Sequence, residues 1–205
     1  MDGVAQIWSD AAVEVYRFVV GPVDNNVYVV RCRDTGTAVL LDAANEHERL
    51  LEIARRLGVT SVLETHGHWD HIGAVSEVRE AGIEVWVRSE DASLLPSYDA
   101  LLDDDAVIAV GRLRLRTIHT PGHTPGSMCF ALEGTPLLFT GDTLFPGGPG
   151  ATKFEGGDFP TIIRSIEERL FRPYHAETLI WPGHGAPSTL GSESPSLQSW
   201  VDRGW

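Results

Sequence analysis

Four side chains that commonly bind metal ions fall within six residues of one short segment, THGHWDH at residues 65–71. Positions two apart face away from each other on a helix, but they share one face of an extended chain. His66 and His68 therefore point the same way at the end of a strand. The chain must then turn to bring Asp70 and His71 to the same point. The segment predicts a loop that carries metal ligands.

Three later segments each place one more ligand-type residue beside a glycine, directly after an apolar run. Glycine lets the backbone approach closely and adopt positive φ. Zinc binds imidazole nitrogen and carboxylate oxygen at about 2.0–2.2 Å, usually with four ligands. Seven ligands exceed one such site and suit two ions that share a carboxylate, with a hydroxide held between them. The candidate ligands are His66, His68, Asp70, His71, His123, Asp142 and His184.

Histidine and carboxylate ligands without cysteine suit zinc, iron and manganese alike. We therefore expect two divalent metal ions as the cofactor, with zinc first and iron or manganese as alternatives.

Composition restricts the class of protein. A chain of 205 residues with 42% hydrophobic and 22% charged residues is typical of one globular domain, here residues 1–205. The formal net charge of -13 argues against nucleic acid or an anionic membrane as partner. No apolar run reaches membrane-spanning length, and no secretory signal is visible. With only Cys32 and Cys129, a reducing compartment and a cytoplasmic location are expected.

The elements that must position these ligands follow from hydrophobic periodicity. The apolar run Val59 to Leu63 predicts the strand that leads into the ligand loop, and Ile72 to Ala81 has helical spacing after it. Thr161 to Phe171 predicts an amphipathic helix, and only a loop and one short helix are expected after Gly185. Each half of the chain alternates strands and helices, which favours an α/β (α+β) fold with two face-to-face sheets and helices outside.

The motifs THxHxDH, PGHTPGS, TGDTLF and PGHG occur in this order between about Val13 and Gly185. In this the chain resembles the metallo-β-lactamase-fold hydrolases, and within them the hydroxyacylglutathione hydrolase (glyoxalase II) group. The resemblance implies a four-layer αβ/βα sandwich with the metals at one sheet edge. It also implies that His66, His68 and His123 hold the first metal. The second would be held by Asp70, His71 and His184, with Asp142 as the bridge.

The resemblance also implies a reaction, the hydrolysis of a small-molecule thioester by a metal-bound hydroxide. Two cations lower the pKa of bound water from 15.7 toward about 7. A thiol with a pKa near 8.5 can leave as thiolate without a strong general acid. Asp70 and Asp142 are the expected catalytic carboxylates, with Asp142 positioning the metals and accepting the proton of the bridging water.

Two departures from the family concern the substrate. The loop GGPGATKFEG at residues 147–156 resembles the family loop GGCGRFFEG, but has proline in place of cysteine. Too little chain follows His184 to form the helical domain with which typical glyoxalase II enzymes grip glutathione. Glutathione, another low-molecular-weight thiol and a different ester therefore all stay open as carriers.

Three more residues are candidates for supporting roles. Lys153 is the only lysine, and we expect either a contact with a substrate carboxylate or an ordinary surface charge. Trp69 is expected to wall the substrate cleft because it lies inside the ligand motif. Asp42 follows a predicted strand and is expected to orient a metal-binding histidine, with a helix cap or turn as the alternative.

Other activities of the same fold remain alternatives. A lactonase would need the same metals. A persulfide dioxygenase would use one iron on residues equivalent to His66, His123 and Asp142, but the loop after Asp142 lacks the RTDFQ pattern of those enzymes. A β-lactamase is disfavoured, since those enzymes use other residues where this chain has Asp142.

Overall fold

Two β-sheets packed face to face form the centre of the computed structural model, which describes residues 4–204. The single-domain expectation also covered residues 1–3 and 205, which lie outside the described residues. The first sheet has seven strands in chain order, antiparallel from first to fourth and parallel from fourth to seventh. They are β1 (Val4–Ser9), β2 (Val13–Val20), β3 (Asn25–Cys32), β4 (Ala38–Leu41), β5 (Val59–Leu63), β6 (Glu84–Arg88) and β7 (Ala100–Leu102).

The second sheet has six strands in the order β15-β14-β11-β10-β9-β8, with only the β11–β14 pair parallel. A two-stranded ribbon, β12 with β13, follows β11 in the chain. The strands are β8 (Val107–Val110), β9 (Leu113–His119), β10 (Met128–Leu132), β11 (Leu137–Gly141), β12 (Leu144–Phe145), β13 (Gly148–Pro149), β14 (Leu179–Pro182) and β15 (Ser188–Thr189).

Helices cover the outer face of each sheet. Helices α1 (His47–Leu57) and α2 (Val75–Glu80) pack on the first sheet. The second sheet is covered by α3 (Phe159–Ser165) with its π-helical continuation Ile166–Phe171, and by the C-terminal helices α4 (Leu190–Glu193) and α5 (Leu197–Arg203). Single 3-10 turns occur at Ala92–Leu94 and Ser194–Ser196. None of the helices in residues 4–204 is both long and apolar enough to cross a membrane.

Three apolar cores separate these layers. The apolar residues of strand β3 face two of these cores. Val27 and Val29 face the core under α1 and α2, whereas Tyr28 and Val30 face the second sheet. Alternate residues of a strand point to opposite faces, so a strand between two cores needs apolar residues at both. The order helix, sheet, sheet, helix confirms the predicted four-layer αβ/βα sandwich.

Some predicted boundaries differ. The helix after the ligand motif begins at Val75 rather than Ile72, because residues 69–74 are turns that complete the ligand loop. The helix predicted from Thr161 begins at Phe159, where the Asp158 carboxylate caps it by accepting a hydrogen bond from the Thr161 N–H. The segment after Gly185 contains a short strand and several short helical turns, more structure than the single helix predicted.

Candidate metal centre

The ends of several strands meet at one edge of the sandwich and carry the candidate ligands there. Strands β4, β5 and β6 are parallel, so their carboxyl ends lie together. In the second sheet β9, β11 and β14 run in one direction, because β10 is antiparallel to both β9 and β11. The residues that follow these strands are Asp42, the loop 64–74, Asp91, His123, Asp142 and His184. The topology therefore brings residues from distant parts of the sequence to one place.

Three of the imidazoles form a compact triangle of nitrogen atoms. His66 Nε2 lies 3.1 Å from His68 Nδ1 and 3.2 Å from His123 Nε2, and the His68 and His123 nitrogens are 2.9 Å apart. Tetrahedral coordination with metal–nitrogen bonds of about 2.0–2.1 Å separates ligand nitrogens by about 3.3 Å. The spacing of the three nitrogens fits one metal ion.

A second group of three ligand atoms lies beside the first. His71 Nε2 is 3.3 Å from His184 Nε2 and 3.4 Å from Asp70 Oδ2, and His184 Nε2 is 3.3 Å from the same carboxylate oxygen. These distances again match the separation of ligand atoms around one ion. The sequence-predicted ligands are thus brought together in two sets of three.

Asp142 lies between the two sets. Its Oδ1 is 3.5 Å from His71 Nε2, and its Oδ2 is 3.6 Å from both His123 Nε2 and His184 Nε2. Oδ1 is buried and has no hydrogen-bond partner among the described residues. Buried polar atoms are normally satisfied, so this oxygen fits the donor set of a site that binds cations.

Hydrogen bonds behind the rings decide which nitrogen of each imidazole faces the cluster. Nδ1 of His71 lies 2.7 Å from Asp42 Oδ2, and that of His123 is 2.7 Å from the Ala151 carbonyl oxygen. Nδ1 of His184 lies 3.0 Å from the Val23 carbonyl oxygen. Carbonyl and carboxylate oxygens only accept, so each Nδ1–H donates and leaves Nε2 as the bare nitrogen.

Asp42 lies behind two of the rings. It is buried, and its carboxylate accepts hydrogen bonds from the Thr65 N–H at 2.6 Å, the Thr65 hydroxyl at 2.9 Å and His71 Nδ1–H at 2.7 Å. Since the Thr65 hydroxyl donates to Asp42, its oxygen can accept from His66 Nδ1–H at 3.0 Å. One carboxylate thus orients two of the rings, His71 directly and His66 through Thr65.

The imidazoles and the carboxylates of the cluster shift one another's pKa values. Burial and the neighbouring imidazoles lower the pKa of His66 well below its usual range. Burial also opposes charge on His71, but the carboxylates of Asp142 and Asp42 outweigh it and raise the His71 pKa well above the ordinary value. For Asp142, burial is outweighed by the charge of His71, so the pKa of Asp142 is lowered. The lowered pKa favours the ionised form of Asp142, which is the form that binds a cation.

Two asparagines at the start of β3 support the cluster and were not predicted from the sequence. Asn25 Nδ2 donates to Asp70 Oδ2 at 2.9 Å. Asn26 Nδ2 donates to the carbonyl oxygens of Pro182 and Gly185, both at 3.0 Å. The pair holds one ligand directly and the loop of His184 through its backbone.

Asp91 is a second residue that the sequence did not reveal. It is fully buried, and Oδ2 accepts from the Gly67 N–H at 2.8 Å and the Thr124 hydroxyl at 2.7 Å, while Oδ1 accepts from the Gly126 N–H at 2.8 Å. These bonds join the loop of His66 and His68 to the loop of His123. Asp91 is a positioning residue for the first set of ligands.

A cleft of about 960 Å³ opens onto the cluster. Trp69 lines it with 65% of its surface exposed, as expected of a cleft wall. Lys153 is exposed and is not among the residues that line the cleft; its Nζ lies 5.4 Å from the centre of the Phe154 ring. A contact between Lys153 and a substrate stays a prediction.

We predict that Asp91→Ala destabilises the protein strongly. The change leaves the Gly67 and Gly126 N–H groups without partners, and each unsatisfied buried donor costs about 1–3 kcal/mol. The free energy of unfolding, measured by urea denaturation of the metal-free protein, should fall by about 3 kcal/mol or more. Asp34→Ala removes only an exposed ion pair with Arg112 and serves as the control. Equal, small losses in both variants would contradict the role of Asp91.

Comparison with known proteins agrees with this geometry. Residues 20–184 match the model of the metallo-beta-lactamase superfamily. The hydroxyacylglutathione hydrolase GloC of Haemophilus influenzae is 34% identical over 80% of this chain and 87% of its own length.

Two solved structures are also similar. One is the crystal structure of the BLEG-1 B3 metallo-beta-lactamase, 30% identical with a TM-score of 0.79, which covers 88% of this chain and 96% of that one. The other is the crystal structure of TTHA1623 in a di-iron-bound form, 29% identical with a TM-score of 0.77. The match covers 87% of this chain and 96% of that one. With the ligand cluster at its sheet edge and these similarities, the chain belongs to the metallo-β-lactamase superfamily, as a metal-binding hydrolase of glyoxalase II-like kind.

Proposed function

We propose that this protein hydrolyses a small-molecule thioester with the help of two divalent metal ions. The observation that carries the proposal is the position of Asp142. Its Oδ2 lies 3.6 Å from a nitrogen of each set, and its buried Oδ1 has no hydrogen-bond partner among the described residues. The first ion would be held by His66, His68 and His123, and the second by Asp70, His71 and His184, with Asp142 as the bridge. Zinc is the first expectation, with iron or manganese as alternatives.

When bound, the ions would supply a water of lowered pKa and polarise the carbonyl oxygen. The residues of the chain supply the rest. Asp142 would accept the proton of the attacking water. Asp70, a ligand of the second ion in this proposal, is held in place by a hydrogen bond from the Asn25 amide. The Nδ1 atoms of His71, His123 and His184 are engaged by their own acceptors. A site of this kind suits a leaving group that departs without a proton, which a thiol does and an amine does not.

The name of the Haemophilus relative supports a 2-hydroxyacyl thioester as the substrate class. Trp69 would form a wall of the cleft against the substrate. Lys153 would reach the substrate only by leaving its place over Phe154.

A single-iron oxidoreductase, of the persulfide dioxygenase type, is the second candidate. The reaction would need His66, His123 and Asp142 as ligands, and His123 Nε2 lies 3.2 Å from His66 Nε2 and 3.6 Å from Asp142 Oδ2. Consumption of oxygen with a persulfide substrate, by protein that contains one iron per chain, would favour this reaction over hydrolysis.

We predict that Asp142→Asn lowers kcat/KM for S-lactoyl thioester hydrolysis by about 100-fold or more, since the loss of a ligand should exceed the 10- to 100-fold cost of losing an outer partner. Release of free thiol by the metal-loaded protein measures the rate. Asp103→Asn, at an exposed aspartate, is the matched control and should retain the wild-type rate. Full activity of Asp142→Asn would contradict the proposed function.

We also predict that binding of zinc releases protons and weakens as the pH falls. Carboxylates raise the pKa of His71, and the hydrogen bond to Asp70 raises that of His184 against the effect of burial, so both rings bind a second proton more readily than a free imidazole does. Only a neutral imidazole binds a metal. Calorimetry in buffers of different ionisation enthalpy should show this release near neutral pH.

Asp42→Asn removes one of the charges that raise the His71 pKa and should reduce the number of protons released. His175→Gln, at an exposed histidine outside the cluster, is the control and should not change it. Zinc affinity that is independent of pH between about 6 and about 8 would contradict this account of the ligands.

A further inference from the structure

The walls of the cleft show which kind of group it receives beside the reacting carbonyl. Its floor contains ligand atoms of both sets, from His68, Asp70, His123, Asp142 and His184. Its volume of about 960 Å³ lies at the upper end of the range for sites that enclose small organic ligands. A short hydroxyacyl group bound at the floor would therefore leave most of the cleft for the rest of the substrate.

The walls are formed by apolar side chains exposed to an unusual degree. Val23, Trp69, Leu94 and Phe154 are 44%, 65%, 51% and 53% exposed, and all four line this cleft. They are four of the seven most exposed large apolar side chains in residues 4–204. These residues come from four separate segments of the sequence, so it is the fold that brings them together. Clustered exposed apolar surface of this kind marks a site for an apolar ligand.

The charged groups of the cleft favour a neutral ligand. Outside the candidate ligands, the charged residues that line it are Glu90, Asp91 and Glu155, all acidic. Glu90 is paired with Arg88 at 2.8 Å, and the oxygens of Asp91 are engaged by the loops they join. The Glu155 carboxylate is exposed at the rim and would repel an anionic group nearby.

From these observations we propose that the substrate carries an uncharged, apolar chain, which lies along Trp69, Leu94 and Phe154, in place of the carboxylates of a glutathione-like carrier. The inference rests on the proposed thioester hydrolysis and specifies its substrate class. The apolar part of the substrate belongs either to the acyl group or to the thiol. In either case it would bury the same apolar surface of the cleft.

Two series of thioesters test the proposal on the zinc-loaded full chain. One extends the acyl group from acetyl to octanoyl on N-acetylcysteamine, and the other extends the thiol from ethyl to octyl in acetyl thioesters. Each buried methylene should raise kcat/KM about fourfold, and the series that shows the rise identifies the side that carries the chain. Analogues that end in a carboxylate should react about tenfold more slowly than their methyl esters.

Variants assign the effect to the wall. Leu94→Ala and Phe154→Ala should reduce the dependence on chain length, whereas Leu101→Ala, an exposed leucine outside the cleft, should keep it. Lys153→Gln should also keep it. Rates that do not change with chain length in either series, or a preference for the carboxylate-ended analogues that Lys153→Gln abolishes, would overturn the proposal.

Failure of the reaction is distinguishable from failure of this inference. If no thioester of either series is hydrolysed, the proposed function is wrong. Alkyl methyl ketones, which resemble the thioesters but cannot be hydrolysed, then decide the inference by calorimetry on the same zinc-loaded protein. Affinity that rises with alkyl length and falls with a terminal carboxylate supports the apolar cleft, and affinity that does neither overturns it.

Discussion

Five imidazoles and two carboxylates share one small volume, and hydrogen bonds from behind hold four of the five rings. The nitrogens that face the cluster lie as close as 2.9 Å, and buried polar atoms without partners cost free energy. The hydrogen bonds of His71 to Asp42, of His123 to Ala151 and of His184 to Val23 fix these rings with the bare nitrogen inward. The cluster therefore depends on the loops that carry these acceptors as much as on the ligands.

The sandwich supplies those loops from strands that end at one edge. Both sheets contribute, so the cluster spans the line where they meet, and the carboxylate of Asp91 and the amide of Asn26 join loops across it. Beside the cluster, Trp69, Leu94 and Phe154 form an apolar wall of the cleft.

Local pattern was enough to predict which side chains meet at the sheet edge, and most strands. The motif at residues 65–71 and the apolar run of β3 each carry their signal in adjacent residues. Asn25 and Asp91 could not be found in this way, since their partners lie 24 to 45 residues away and only the sheets bring them close. Lys153 shows the converse limit. That it is the only lysine says nothing about where its side chain points. Its ammonium group lies over the Phe154 ring, and Lys153 is not among the residues that line the cleft.

The central claim is that seven side chains from four segments hold a pair of metal ions. Anomalous diffraction at the zinc absorption edge, from crystals of the zinc-loaded protein, tests it most directly. The account predicts two peaks about 3.5–4 Å apart, one beside His66, His68 and His123 and one beside Asp70, His71 and His184, with Asp142 in contact with both. A single peak at full occupancy, or peaks away from these residues, would contradict it.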